Sequence, residues 1–195
     1  MTPAANDARP AARPRRGILR RALGWVERFL ALCGLVLLAY HLGFNLSAMS
    51  SGSMGPALRG TDARHGDWVL TEKVSYWFRS PRRWEVLAFQ DEEGTQVMKR
   101  VAGLPGEKVC LRDDRVAVDG ALVEPPAAVA GLRYHPYGSL FKGAEAPCGD
   151  GYFVLGDNSV DSYDSRFTGP VKPERVIGRA WLVVWPPERM GFVNP

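Results

Sequence analysis

The chain has little of what builds metal centres or disulfide frameworks. Of its 195 residues only three are cysteine and three are histidine. His41, His65 and His135 are scattered, and Cys33, Cys110 and Cys148 lack close spacing, so no metal-ligand signature is present and no cofactor is expected. No internal repeat is visible. After Leu46 no stretch sustains an apolar period of 3.6 residues, which argues against a helical domain. Acidic residues are nearly missing from the start. Seven arginines (9, 13, 15, 16, 20, 21, 28) face only Asp7 and Glu27, a net of +5; with +4 overall, the remainder is near −1. The basic balance therefore belongs to a tail. A nucleic-acid partner needs a basic face on the folded part, so none is expected.

Charge is also absent from "FLALCGLVLLAYHLGF", residues 29–44. A membrane span needs about 20 apolar residues at about 1.5 Å of rise each. Uncharged neighbours out to Ser47 extend the run, and Arg28 can snorkel to the headgroups. Two other readings compete. A cleaved signal peptide also has a basic start and an apolar core, but Leu46 in "LSA" stands where a small residue is wanted, and the tail before the core is long. A buried core helix fits poorly beside an arginine block. The expected organisation is a basic cytoplasmic tail over 1–28, disordered in its first dozen residues, a single transmembrane anchor over 29–47, and an outer domain over 48–195. The positive-inside rule sets that orientation.

The outer part reads as β. Stretches 67–78, 84–89, 95–104, 151–157 and 175–185 are rich in β-branched and aromatic residues, and 115–123 carries a hairpin signal at Asp119-Gly120. The fold class is mainly antiparallel β. Residues 124–150, richer in Pro, Gly and Ala, read as an insert or cap. Cys110 and Cys148 would lie in an oxidising compartment where a disulfide can persist, but nothing in the sequence shows that they meet.

Three segments invite chemistry. "MSSGSMGPAL" (49–58) sets Ser53 beside a Met-Gly-Pro turn directly after the span. A serine hydroxyl needs an adjacent base to become a nucleophile, and no histidine has patterned neighbours. In "QVMKRVAGLPGEKV" (96–109) period-two geometry puts Lys99 in one row with Val97 and Val101, and Met98 and Arg100 on the other face. Burial there would lower the lysine pKa and suit it to general-base work; a lysine at a sheet edge with its amine in water is the plainer alternative. "GDNSVDSYDSR" (156–166) is a loop in which Asp157, Asp161, Asp164 and Arg166 can form ion pairs. Its Asp spacing faintly suggests calcium, but no bidentate Glu closes it.

Taken together, Ser-Gly-Ser-Met-x-Pro after a span, "GDWVLTEKVSY", Lys-Arg-x-x-Gly-Leu-Pro-Gly, and Gly-Asp-Asn…Asp-Ser-Arg, in that order from about Met49 to Gly169, resemble the type I signal peptidases, membrane-bound Ser-Lys serine proteases of family S26. The resemblance implies a barrel-like antiparallel catalytic domain behind one transmembrane helix. Ser53 would be the nucleophile and Lys99 the general base. Ser51, with the Ser53 N–H, would form the oxyanion hole, and Ser162 would orient Lys99. Asp157, Asp164, Arg166 and Arg100 would be structural supports. The family often has Pro where Ser50 stands and Thr where Ala57 stands, positions that carry no proton. The implied substrates are preproteins with Ala-x-Ala-like sites, small at −1 and −3, and the implied place is the outer face of the inner or plasma membrane. The lipid bilayer is then a partner, with Trp77, Phe78, Trp181 and Trp185 as interfacial or core candidates, and nothing demands an oligomer. A Ser-Lys protease of narrow range and a non-enzymatic tethered β module are the alternatives; the soluble self-cleaving repressor proteases lack the anchor.

Overall fold

The structure is a computed structural model and describes residues 16–61 and 65–193. The expected disordered start, in residues 1–15, and the tail's remaining structure before Arg16 lie outside the described residues. Helix α1 spans Arg16–Gly43. Within it Arg20–Gly43, 24 residues, is long and apolar enough to cross a membrane; at about 1.5 Å per residue it reaches about 36 Å, against a hydrocarbon core of about 30 Å. Leucines at 23, 30, 32, 35, 37, 38 and 42 are all exposed on it. In water such a helix would leave a large apolar area uncovered.

The anchor was expected to run to Ser47, but the helix ends at Gly43 and Phe44–Ala48 is strand β1. The backbone of these residues is taken by the sheet: β1 pairs antiparallel with β2, Trp68–Glu72, from Phe44↔Glu72 to Ala48↔Trp68. The expected strand 67–78 likewise stops at Glu72. Val74–Trp77 is a 3-10 turn, because the Glu72 side chain accepts the Ser75 N–H at 2.8 Å and bends the chain away from the sheet.

The remaining strands are β3 (Val86–Gln90), β4 (Gln96–Gly103), β5 (Lys108–Arg112), β6 (Arg115–Val118), β7 (Ala121–Leu122), β8 (Ala146–Pro147), β9 (Phe153–Leu155), β10 (Val176–Trp185) and β11 (Gly191–Phe192), with a short helix α2 at Ser165–Thr168. They form a large sheet ordered β1-β2-β10-β3-β4-β9, with β11 on β10, and a small sheet ordered β7-β6-β5-β8. Every pairing is antiparallel. The Asp119-Gly120 hairpin forms with both residues at positive φ (48° and 82°), as a type I′ turn requires. Pro105 and Gly106 occupy the middle of the turn that closes from Leu104 O to Glu107 N, with Gly106 at φ 87°.

Strand β3 is buried on both faces. Val86 and Ala88 join Met49, Met54, Leu58, Val69 and Met98 in one core, while Leu87 and Phe89 join Val101, Val154 and Val171 in another. The small sheet packs a third core with Trp84, Phe153 and Leu155. The 124–150 segment contributes Tyr134, Leu140, Ala146 and Cys148 to that core, so it is a packed cap. Cys110 and Cys148 are both free thiols. Cys148 N bonds Glu107 O across the β5–β8 ladder, three residues from Cys110. Three residues of strand separate the two by about 10 Å and turn their side chains to opposite faces, too far for a bridge. Of the four aromatics named as interfacial or core candidates, Trp77, Phe78 and Trp185 are exposed, and Trp181 is half-buried between Phe44 and Phe192.

Candidate active site

The site begins where β1 hands over to a one-turn 3-10 helix, Gly52–Met54. Met54 is fully buried in the core and pins the turn from inside. Gly60 lets the returning chain pass against it: a Cβ there would lie 2.2 Å from Ser51 O. Ser53 is consequently held with its hydroxyl turned inward, 5% exposed. From the other side β4 brings Lys99, 3% exposed, and its Nζ sits 2.5 Å from Ser53 Oγ. Ser51 Oγ lies 3.2 Å from the same oxygen. None of the hydrogen-bond partners of Ser53 among the described residues is a histidine.

Lys99 is not the edge lysine with its amine in water. Burial pushes its pKa down, against the opposing pull of Asp164, Asp157 and Asp161. Two of these carboxylates are paired locally. Arg100 holds Asp157 with two bonds of 2.7 Å, and its remaining arm donates to Trp84 O. Arg166 holds Asp164 through Nε at 2.8 Å and Nη2 at 2.9 Å. Both pairs are buried. Fork-shaped guanidinium–carboxylate pairs of this kind are geometrically specific, and pairing leaves desolvation as the larger effect on the lysine.

Asp164 is the hub of the loop. Besides Arg166 it accepts the Gly156 N–H at 2.9 Å and the Ser162 hydroxyl at 2.7 Å. The resemblance led us to expect Ser162 to orient Lys99; the hydrogen bond its hydroxyl donates goes to Asp164. Ser162 nevertheless stands beside the dyad: a Cβ on Gly156 would fall 2.1 Å from Ser162 Oγ and 2.6 Å from Ser53 O. All eight residues expected at the site, Ser51, Ser53, Lys99, Arg100, Asp157, Ser162, Asp164 and Arg166, thus come together from three separate stretches.

Three contributors have no expected role from the sequence. Asn158 donates its backbone N–H to Ser53 O at 3.0 Å and its side chain to Gly52 O at 3.2 Å, tying the loop to the serine turn. It stands in the Gly-Asp-Asn motif, so the motif was the signal. Trp84 supplies the carbonyl for Arg100 from a backbone at φ 71°. Gln96 bonds Asn45 at 3.2 Å and Ser47 at 2.9 Å, bringing β1 within side-chain reach of β4 although the two do not pair. No sequence signal marks those two. Among the described residues no group of three or more His, Cys, Asp or Glu side chains could hold a metal ion.

The profile of a family described as "Signal peptidase, peptidase S26" matches residues 22–185. The chain belongs to that family. It is a serine peptidase of the S26 type, and its N-terminal apolar helix fits a membrane-anchored enzyme. Signal peptidase I of Leptolyngbya laminosa is 35% identical over 154 residues, covering 74% of this chain and 70% of the relative. A probable signal peptidase I-2 of Synechocystis is 31% identical over 180 residues, covering 87% and 78%. A solved signal peptidase I of Enterococcus faecalis is 33% identical, covers 52% of this chain and 97% of the solved one, and superposes with a TM-score of 0.42.

Proposed function

We propose that this peptidase cleaves signal peptides from exported preproteins by a Ser-Lys mechanism, cutting after small residues at −1 and −3. The observation that carries the reading is the 2.5 Å contact between the amine of a buried Lys99 and the hydroxyl of a buried Ser53. Neutral Lys99 takes the Ser53 proton as Oγ attacks the scissile carbonyl carbon. Ser51 Oγ and the Ser53 N–H stabilise the oxyanion, a contribution of roughly 3–4 kcal/mol per preorganised donor in comparable sites. The C–N bond breaks as Lys99 returns the proton to the departing amine. A water, deprotonated by the same lysine, then attacks the acyl ester and releases Ser53.

Substrate geometry follows from the strands. β4 pairs β3 along Gln96–Arg100, but β9 covers its other edge only from Arg100 onward. The edge at Gln96–Lys99 faces β1, which ends the strand order of the large sheet among the described residues. An extended peptide can add to these edges. Its −1 and −3 side chains would then share one face, which accounts for a paired small-residue requirement. The catalytic domain sits on the outer face of the membrane with its basic tail in the cytoplasm, and enzyme and tethered preprotein share a surface. It acts as a monomer.

The test is cleavage of an Ala-x-Ala preprotein by full-length protein in detergent, beside folded Ser53→Ala and Lys99→Ala. Cleavage after the second Ala by wild type alone supports the reading. A folded, inactive wild type, or an active Lys99→Ala, overturns it.

A further inference from the structure

The free edge of β4 ends at the dyad. Arg100 pairs with Leu155 and Val101 with Val154, so β9 fills the slot immediately beyond Lys99. A peptide strand lying along Gln96–Lys99 cannot continue in the sheet past the scissile bond. Its next residues have to rise out of the sheet over whatever follows β9. That is the loop tied to the serine turn by Asn158 and packed beside Ser53 through Gly156 and Ser162.

This loop turns apolar side chains outward. Val160 is 68% exposed, Tyr163 73% and Phe167 47%. The Tyr163 and Phe167 rings stack with centroids 5.5 Å apart and planes 11° from parallel. Their base is rigid: the Arg166 guanidinium lies 5.8 Å from the Phe167 ring and 5.8 Å from Tyr137 of the cap, and is itself held by Asp164, Ser159 and His135 O. The dyad chemistry uses none of these rings. Single exposed apolar residues are ordinary, but a preorganised stack on the loop tied to the Ser53 turn is a place for another apolar group.

We propose that Val160, Tyr163 and Phe167 form a docking platform for the first residues of the mature chain, just after the cleaved bond, and that it favours apolar or aromatic side chains there. The inference rests on the function proposed above. It makes this loop both the support of the serine turn and the element that reads the mature side of the substrate.

The experiment uses full-length protein in detergent and two preproteins with one signal peptide and one Ala-x-Ala site. One carries Leu and Phe, the other Ser and Gly, at the second to fourth mature residues. Wild type should cleave the apolar substrate with a kcat/KM about tenfold higher, mostly through KM, the size expected from burying one such side chain. Tyr163→Ser with Phe167→Ser should bring the two substrates within about twofold. Val160→Ser, which leaves the stack intact, should narrow the gap in the same direction and serves if the double variant does not fold. A wild type that cuts both substrates equally overturns the platform alone, as does a variant that keeps the full ratio. A wild type that cuts neither overturns the functional reading and this one with it. If the variants lose both substrates equally and also bind lipid vesicles less, the rings face the bilayer and the proposal falls.

Discussion

To act as the proposed base Lys99 has to be neutral, and its burial favours that form. Lys99→Arg keeps a basic side chain of similar length, but a guanidinium does not deprotonate in a protein; cleavage should drop below detection in the preprotein assay, while far-UV circular dichroism stays unchanged. Because burial lowers the pKa of Lys99, activity should rise with pH as the neutral amine accumulates, with kcat/KM for a single preprotein as the measured quantity. The same shift sets a sign for stability. The unfolded state holds the lysine proton up to a higher pH than the folded state, so the stability contributed at this site grows as pH rises toward the unfolded lysine value and is lost as pH falls through the folded one. Lys99→Met should therefore be stabilising at neutral pH, and its advantage in urea unfolding should shrink as pH is raised. Arg166 makes the opposite case. Removing it leaves Asp164 buried without its fork, and Arg166→Met should cost about 3–5 kcal/mol in the same unfolding measurement.

At the scale of elements, the turn into β3 stands out. Trp84 has φ 71°, a region that L-residues occupy at a cost of about 1–2 kcal/mol, yet its ring is buried in the core under the small sheet and its carbonyl anchors Arg100. The indole's burial outweighs the backbone strain. Truncation should cost about 3–5 kcal/mol, and the usual order should invert: Trp84→Gly, free of a Cβ at positive φ, should unfold at higher urea concentration than Trp84→Ala. The serine turn and the loop after β9 form a second unit of this kind, since Gly60 and Gly156 admit backbone where any side chain would collide.

For the molecule as a whole, charge and apolarity are divided by segment. The net positive charge gathers before Phe29, the candidate span runs over Arg20–Gly43, and the rest is close to neutral. A chain so divided fits a membrane-anchored enzyme, and under the proposed function tethering should matter more to rate than any single contact. In proteoliposomes, cleavage of a membrane-inserted preprotein should exceed that of a soluble peptide with the same site by at least about a hundredfold in kcat/KM; equal rates would remove tethering from the account. The thiols belong to this scale as well. The β5–β8 ladder holds Cys110 and Cys148 apart, so the denatured, unreduced protein should titrate as three free thiols.

Local pattern specifies the class of each segment. One uncharged run, period-two stretches and the Asp-Gly signal are local properties, and local periodicity and turn chemistry are enough to specify a span, strands and a hairpin. It also marked the Ser53, Lys99 and Asp157–Arg166 motifs, because each motif is contiguous. What it left open depends on residues far apart in the chain. Whether the helix ends at Gly43 or Ser47 was decided by β2 capturing the backbone of Phe44–Ala48. Whether Lys99 is a surface lysine or a buried one was decided by the cores on both sides of β3 and by arginines that pair with its acidic neighbours. The partner of Ser162, the positive φ of Trp84 and the Gln96 link to β1 likewise arise only when separate strands meet. Hydrogen-bond competition, desolvation and close packing are properties of the assembled fold, and no window of sequence contains them.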